Sequence, residues 1–321
     1  MAIYFYIILI TVFLFIAPEG SVIHASGNDV APENNISKTS VISSSNLSEP
    51  ITQQSSKINV VASFFPIYEF AKQVGGDRVN MITLIPTGVE PHDYEPTIQQ
   101  LLEAEKADVV FFNGRGFENS WIGKVNNDNL VDTSALLNLS QDSKIRNPHV
   151  WLDPVLAKGQ VNQIENALIA IDPNNKQYYQ TNARNFTAGL DSLDSEIRSE
   201  LQTCKKKDFI AFHDAFGYFA NRYGLIQHSI QGVSPEGEIL PQRIEQTIRL
   251  ADKLGLKVIY AEELVDPRFA EVIAQEIPNG KVLALSPLEG NESEEKDSGA
   301  GYLDKMKENI SNLKVGLECT A

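Results

Sequence analysis

The feature that most constrains the fold is a long stretch in the middle of the chain with few helix-breaking residues. Residues 176–206 read KQYYQTNARNFTAGLDSLDSEIRSELQTCKK and place apolar side chains at helical spacing. A helix of about 28 residues would span roughly 40 Å at a rise of 1.5 Å per residue. That length exceeds what a simple crossover between neighbouring strands needs. We therefore predict that residues 156–205 form a helical segment that links two lobes.

Patterns of strands and helices alternate on both sides of this segment. Such alternation is typical of parallel sheets whose faces are covered by helices. The predicted fold class is α/β, with two lobes, residues 58–155 and 206–321, each built on a central parallel-type sheet flanked by helices. Strands are expected in the first lobe at 58–62, 79–86 and 108–114, and in the second within DFIAFHDAF, KVIYAEE and KVLALSPL.

The N-terminal part of the chain has the composition of a targeting segment and a linker. Residues 2–18 form one uncharged apolar run, long for a signal peptide and slightly short for a membrane span. A signal peptide or an N-terminal membrane anchor is expected within residues 1–25, and a buried strand is the alternative. Residues 26–57 are rich in Ser, Asn and Gln, which predicts a flexible tether. The protein is therefore expected to be exported, periplasmic or on the cell surface.

Charge and cysteine content narrow the function further. The net charge of −15 and the pI of about 4.8 argue against a nucleic-acid partner, because phosphates require a basic surface. The two cysteines, Cys204 and Cys319, are too few and too far apart for a cysteine zinc site. In an exported protein they form either one structural disulfide or two unrelated thiols, and the sequence leaves both open.

Three of the five histidines occur in similar surroundings. His92 in GVEPHDYEPT, His149 in NPHVWLDP and His213 in AFHDAFGYF each follow a predicted strand or lie in the loop after one. Open parallel sheets bind ligands outside the carboxyl ends of their strands, so two facing lobes would bring these side chains into one cleft. Spacing alone leaves a metal site and three structural histidines about equally open.

The segments around these histidines resemble the solute-binding proteins of metal-ion ABC importers, the zinc- and manganese-binding group. The resemblance implies two α/β lobes joined by one long rigid helix, with a metal site in the cleft between them. It places the ligand positions on His92, His149, His213 and Asp297, where Asp297 lies in EKDSGAGY. Glu262 or a water molecule is the alternative to Asp297. The segments that carry the resemblance are GVEPHDYEPT, ADVVFFNGRGFENSWI, NPHVWLDP, FIAFHDAFGYFANRYGL and VIYAEELVDPRFAEVIAQE.

The ligand set implied by this resemblance favours zinc over manganese. Three imidazoles and one carboxylate suit the tetrahedral preference of Zn²⁺, whereas Mn²⁺ prefers more oxygen ligands. We expect the protein to be exported, monomeric and not an enzyme. Its expected function is to bind Zn²⁺ and deliver it to an ABC permease. The alternatives are a manganese-binding member of the same family, a surface adhesin on the same scaffold, and a zinc hydrolase. A hydrolase would use Glu262 or Glu263 as its general base.

Overall fold

A computed structural model describes residues 56–86, 88–139, 147–235, 239–290 and 301–320. Within these ranges the chain forms two four-stranded parallel sheets, each flanked by helices. The predicted signal or anchor segment, and all of the predicted tether up to residue 55, lie outside the described residues. No helix in the described ranges is both long and apolar enough to cross a membrane.

The first sheet has the strand order β2-β1-β3-β4. Its central strand β1 pairs in parallel with β2, Ile58 opposite Val79, and with β3, Val60 opposite Val109. The apolar runs INVVA and VVFF are buried by helices on the sheet faces, as expected for central strands of a parallel sheet. The elements are β1 (Ile58–Ala62), α1 (Phe65–Gly75), β2 (Val79–Thr83), α2 (Ile98–Lys106), β3 (Val109–Phe112) and β4 (Leu130–Asp132).

The second sheet repeats this arrangement with the order β6-β5-β7-β8. Strands β5 and β7 are central, and each carries three consecutive buried apolar residues. The elements are β5 (Asp208–Ala211), α5 (Gly217–Tyr223), β6 (Ile226–Ser229), α6 (Pro241–Leu254), β7 (Val258–Ala261), α7 (Arg268–Gln275), β8 (Lys281–Ala284) and α8 (Tyr302–Gly316).

Two helices, α3 (Pro154–Ile171) and α4 (Lys176–Leu201), lie between the sheets in sequence and pack against each other. A short 3₁₀ turn, Pro173–Asn175, separates them. Helix α4 has 26 residues and is therefore roughly 39 Å long. Its buried residues follow helical spacing and form one stripe: Tyr179, Ala183, Phe186, Leu190, Leu193, Ile197 and Leu201. The predicted α/β class and the predicted long helix are both confirmed.

Two strands were not predicted from the sequence. Strands β4 and β6 are the edge strands beside β3 and β5, and their residues are half-buried or exposed rather than fully buried. Short edge strands need few apolar residues, so their sequences lack the continuous hydrophobic run that identifies a central strand. The strand expected at 79–86 ends at Thr83, before the loop that carries His92.

A disulfide bond joins Cys204, just after α4, to Cys319 near the C-terminus. The two segments also pair through their backbones, since the Lys206 amide donates to the Leu317 carbonyl at 3.0 Å. The bond closes a loop with a sequence separation of 115. The alternative of two unrelated thiols is therefore excluded in the structure.

We expect replacement of both cysteines by serine to lower the free energy of unfolding by about 2–4 kcal/mol, because the bond restricts the unfolded chain over a long loop. Equilibrium unfolding in guanidinium chloride measures the change. Wild-type protein treated with a reductant serves as the control and should lose the same amount. An unfolding midpoint that is the same with and without the bond would contradict the expectation.

Candidate metal centre

Four side chains from the two halves of the fold converge on one buried point. His92 lies in the loop after β2, His149 in the turn before α3, His213 directly after β5, and Glu289 in the loop after β8. One donor atom from each lies within 4.8 Å of the others. The side chains of His149 and His213 are 0% exposed, that of Glu289 2%, and that of His92 8%.

The spacing of the donor atoms fits a tetrahedral ion. Glu289 Oε1 lies 2.7 Å from the Nε2 atom of His149, 3.1 Å from that of His92 and 3.4 Å from that of His213. His149 Nε2 is 3.2 Å from His92 Nε2 and 3.1 Å from His213 Nε2. A zinc ion with bonds of about 2.0–2.1 Å separates its ligands by about 3.3–3.4 Å. The group therefore needs little rearrangement to accept zinc.

In two of the histidines, a hydrogen bond from ring nitrogen Nδ1 sets the direction in which ring nitrogen Nε2 points. His149 Nδ1 donates to the amide oxygen of Asn147 at 2.8 Å, and His213 Nδ1 donates to Glu262 Oε2 at 2.7 Å. A neutral imidazole with its proton on Nδ1 presents a lone pair at Nε2, which is the form that binds a metal. Glu262 also accepts the backbone N–H of His213 at 3.1 Å, so both of its oxygens hold this one residue.

The electrostatics of the metal-free site differ between the two buried histidines. Burial lowers the pKa of His149 to about 3 despite the neighbouring Glu289 carboxylate, so this imidazole is neutral. Burial also opposes the charge on His213, but the carboxylates of Glu262 and Glu289 together raise its pKa well above the ordinary value. Burial likewise opposes the charge of Glu289, whose pKa the charge on His213 nevertheless holds well below its usual range. A proton on His213 thus supplies the positive charge when no metal is bound.

Asn147 connects the His149 loop to the second half of the protein. Its amide oxygen accepts both the backbone N–H of His149 at 3.0 Å and the ring N–H. Its amide nitrogen donates to the carbonyl of Asp214, next to His213, at 2.7 Å, and its own carbonyl accepts the Tyr218 hydroxyl at 3.1 Å. One buried side chain therefore orients one ligand and sets its position relative to another.

The structure brings together the three histidines that the sequence singled out. Asp297, the expected fourth ligand, lies outside the described residues. Glu262, the alternative ligand, holds the far side of His213 instead of facing the centre. Glu289 was missed, although it follows a strand, as His92 and His213 do. Its position in the loop after β8 was the available signal.

We expect Asn147→Ala to weaken zinc binding by about 10- to 100-fold, because loss of the partner of a ligand imidazole typically has this effect. Calorimetric titration or competition with a chelator measures the affinity. Asn127→Ala is the matched control, since its amide also ties backbone carbonyls in the first half of the chain, those of Ala104 and Ala107, but does not contact a ligand. If both variants bound zinc equally tightly, Asn147 would have no positioning role.

Comparisons with known proteins identify the family of the chain. The family model described as zinc-uptake complex component A, periplasmic (ZnuA) matches residues 60–316. The high-affinity zinc uptake system protein ZnuA of Bacillus subtilis is 36% identical over 282 residues, which cover 81% of this chain and 88% of the relative. The zinc-binding lipoprotein AdcA of Streptococcus pneumoniae is 32% identical over 283 residues, and the chain spans 56% of its length.

Solved structures share the architecture as well as the sequence. The Zn(II)-bound ZnuA-like domain of Streptococcus pneumoniae AdcA matches with a TM-score of 0.73 at 32% identity, over 82% of this chain and 99% of that domain. The laminin-binding protein Lmb of Streptococcus agalactiae, described as bifunctional with adhesin and metal-transporting activity, matches with a TM-score of 0.75 at 30% identity, over 81% and 99%. On the family match and these identities, the chain belongs to the ZnuA family of zinc-uptake components.

Proposed function

We propose that this protein binds Zn²⁺ outside the cytoplasm and delivers it to an ABC permease for import. The observation that carries the proposal is the convergence of three imidazole nitrogens and one carboxylate oxygen on a single buried point. Zinc favours four such ligands in a tetrahedron, whereas manganese favours more oxygen atoms. Zinc is therefore the substrate, and manganese the weaker competitor.

We propose Glu289 as the fourth ligand in place of Asp297. The carboxylate of Glu289 is buried and contacts all three histidines. With this one negative charge and three neutral imidazoles, a bound Zn²⁺ ion and its four ligands together carry one net positive charge. A protein carboxylate in the fourth position closes the coordination shell, which suits carriage of the ion.

The same geometry disfavours a zinc hydrolase. A hydrolase needs an open coordination position for water and a free general base beside it. Glu289 occupies the fourth position, and both oxygens of Glu262 are engaged by His213. The remaining candidate base, Glu263, accepts a hydrogen bond from the hydroxyl of Ser286, in the loop after β8. It is therefore not a free base.

The division of the four ligands between the two proposed lobes provides a route for release of the ion. His92 and His149 belong to the proposed first lobe, residues 58–155, and His213 and Glu289 to the proposed second lobe, residues 206–321. A modest movement of the lobes about the linking segment 156–205 would therefore separate the ligands into two pairs. Contacts between the two halves oppose this movement: Trp151 Nε1 donates to the Pro287 carbonyl at 2.7 Å, and the Tyr302 hydroxyl donates to the Trp151 carbonyl at 2.6 Å.

The cellular setting is part of the proposal. Residues 1–25 direct the chain out of the cytoplasm or anchor it, and residues 26–57 tether the folded part, residues 58–321, to the membrane. The protein works as a monomer, because the donor set within one chain already completes a tetrahedral site.

Titration of zinc into wild-type protein tests the site directly. We expect one tight zinc ion per chain, and we expect Glu289→Gln to weaken binding by at least about tenfold because a charged ligand is lost. Asp297→Ala serves as the matched control and should leave the affinity unchanged. His213→Glu should shift selectivity toward manganese, because a nitrogen ligand is exchanged for oxygen.

Two outcomes would contradict these assignments. A large loss in Asp297→Ala with none in Glu289→Gln would restore Asp297 as the fourth ligand. Absence of stoichiometric zinc in the wild-type protein would reject the proposed function itself.

Zinc binding should release about one proton per ion at neutral pH, because His213 is protonated in the metal-free protein and must be neutral to bind. The sign follows from its raised pKa: below that pKa the affinity falls by about tenfold per pH unit. His149, with a pKa of about 3, adds no competition at neutral pH. Calorimetry in buffers of different ionisation enthalpy measures the proton count. Glu262→Gln removes one of the charges that raise the pKa of His213 and should lower the count, whereas a count of zero in wild type would contradict the assignment.

A further inference from the structure

A cavity of about 240 Å³ lies directly beside the metal centre. His92, the ligand with the most exposed side chain, forms part of its wall. Arg115 and Asn119 contribute from the loop after β3, and Val233 and Ser234 from the segment after β6. The exposed edge of His92 therefore borders this cavity.

The charge of the cavity is opposite to that expected for a simple cation channel. Among the described residues that line it, Arg115 carries the only full charge, in a chain whose net charge is −15. A free Zn²⁺ ion is repelled by this guanidinium at close range. The group that an arginine, an amide and a hydroxyl recognise together is an anion with several oxygen atoms.

Arg115 is held in place by the surrounding structure. Its Nε donates to the Asn147 carbonyl at 3.1 Å, and its guanidinium lies over the Tyr218 ring at 5.8 Å. It has a φ of 55°, between Gly114 and Gly116, in a region that side chains disfavour. The loop is fixed in this shape by the buried carboxylate of Glu118, which accepts the Gly114 N–H at 3.0 Å. The guanidinium of Arg115 is therefore held at a fixed position in the wall of the cavity.

Ser234 supplies a second polar group on the other side of the cavity. Its hydroxyl oxygen is buried and has no hydrogen-bond partner among the described residues, the segment 236–238 being outside them. A buried hydroxyl without a partner is costly, and a ligand oxygen would satisfy it.

We propose that the cavity binds a small carboxylate chelator that carries zinc to the site, with its carboxylates on Arg115 and Ser234 and its zinc ion toward His92. The inference rests on the proposed zinc-binding function. The volume corresponds to about eight water molecules at about 30 Å³ each, which is enough for a molecule of the size of citrate or an amino acid. The chelator lowers the charge of the arriving complex, and zinc then exchanges its carboxylate oxygens for the histidine nitrogens without any redox change.

Zinc titrations with increasing citrate test the proposal. Citrate that only competes for zinc raises the apparent dissociation constant by a factor calculable from its own zinc affinity. For wild type we expect the constant to rise about tenfold less than this, because a ternary complex with charged hydrogen bonds forms. Arg115→Gln should follow the competition curve. Arg268→Gln, which removes the same charge from an exposed position where it pairs with Asp266, should behave as wild type.

A second variant keeps the test decisive if Arg115→Gln fails to fold. Asn119 is exposed, and Asn119→Asp places a negative charge in the cavity while leaving the ties of Arg115 in place. It should abolish the citrate effect and leave citrate-free zinc binding within about threefold of wild type, whereas a purely structural role of Arg115 predicts no effect of this substitution. Sulfate at equal ionic strength is the control for a general anion site and should have no effect.

The outcomes separate this inference from the proposed function. Tight zinc binding without citrate, combined with a wild-type curve that follows simple competition, overturns the chelator pocket and leaves the proposed function intact. A citrate effect that survives both cavity variants places the chelator elsewhere, and an equal effect of sulfate replaces the chelator with a general anion. Absence of zinc binding both with and without citrate overturns both proposals.

Discussion

The repulsion between the four donor atoms of the candidate metal centre is the constraint that the surrounding residues have to balance. Five of the six distances between the three imidazole Nε2 atoms and Glu289 Oε1 are 2.7–3.4 Å, in a site whose four side chains are almost fully buried. Such an arrangement is stable only with a positive charge between the atoms. In the metal-free protein the raised pKa of His213 favours a proton at this place, and under the proposed function a bound cation replaces it. Exchange of a proton for a metal ion would then be the basic reaction of the site.

Asn147 and Glu262, the hydrogen-bond partners of His149 and His213, affect the protonation of these two histidines differently. Asn147 orients His149 without adding charge, so burial keeps this imidazole neutral and ready to bind. Glu262 orients His213 with a full negative charge, so the same kind of burial is outweighed and the imidazole holds a proton. In the proposed site, His149 needs no deprotonation before it binds, and His213 links metal binding to pH. Exchanging the two partners would move this link to the other half of the protein.

Much of this arrangement could be predicted from the sequence because parallel sheets place the carboxyl ends of their strands on one edge. That rule drew attention to His92, His149 and His213, and the family resemblance made them ligand positions. In the structure His92 and His213 follow strands, whereas His149 lies in the turn before α3. Glu289 could not be identified in the same way, because five acidic residues lie within nine positions of the polar loop and the sequence does not show which of them is buried. They are Glu289, Glu292, Glu294, Glu295 and Asp297. The edge strands β4 and β6 were missed for a related reason, since neither has a hydrophobic run that requires burial.

The arrangement of the ligands also explains how tight binding and release can coexist. In the proposed site each half of the fold contributes two donors, and two donors alone hold zinc far less tightly than four. Affinity therefore depends on the two halves remaining together, and the bonds of Trp151 to Pro287 and of Tyr302 to Trp151 supply part of that cohesion. In the proposed delivery, a permease that separates the halves does not need to compete for the metal with ligands of its own at first contact. The separation has to overcome more than these two hydrogen bonds, because one buried core includes residues of both halves, such as Leu152, Leu288 and Tyr302.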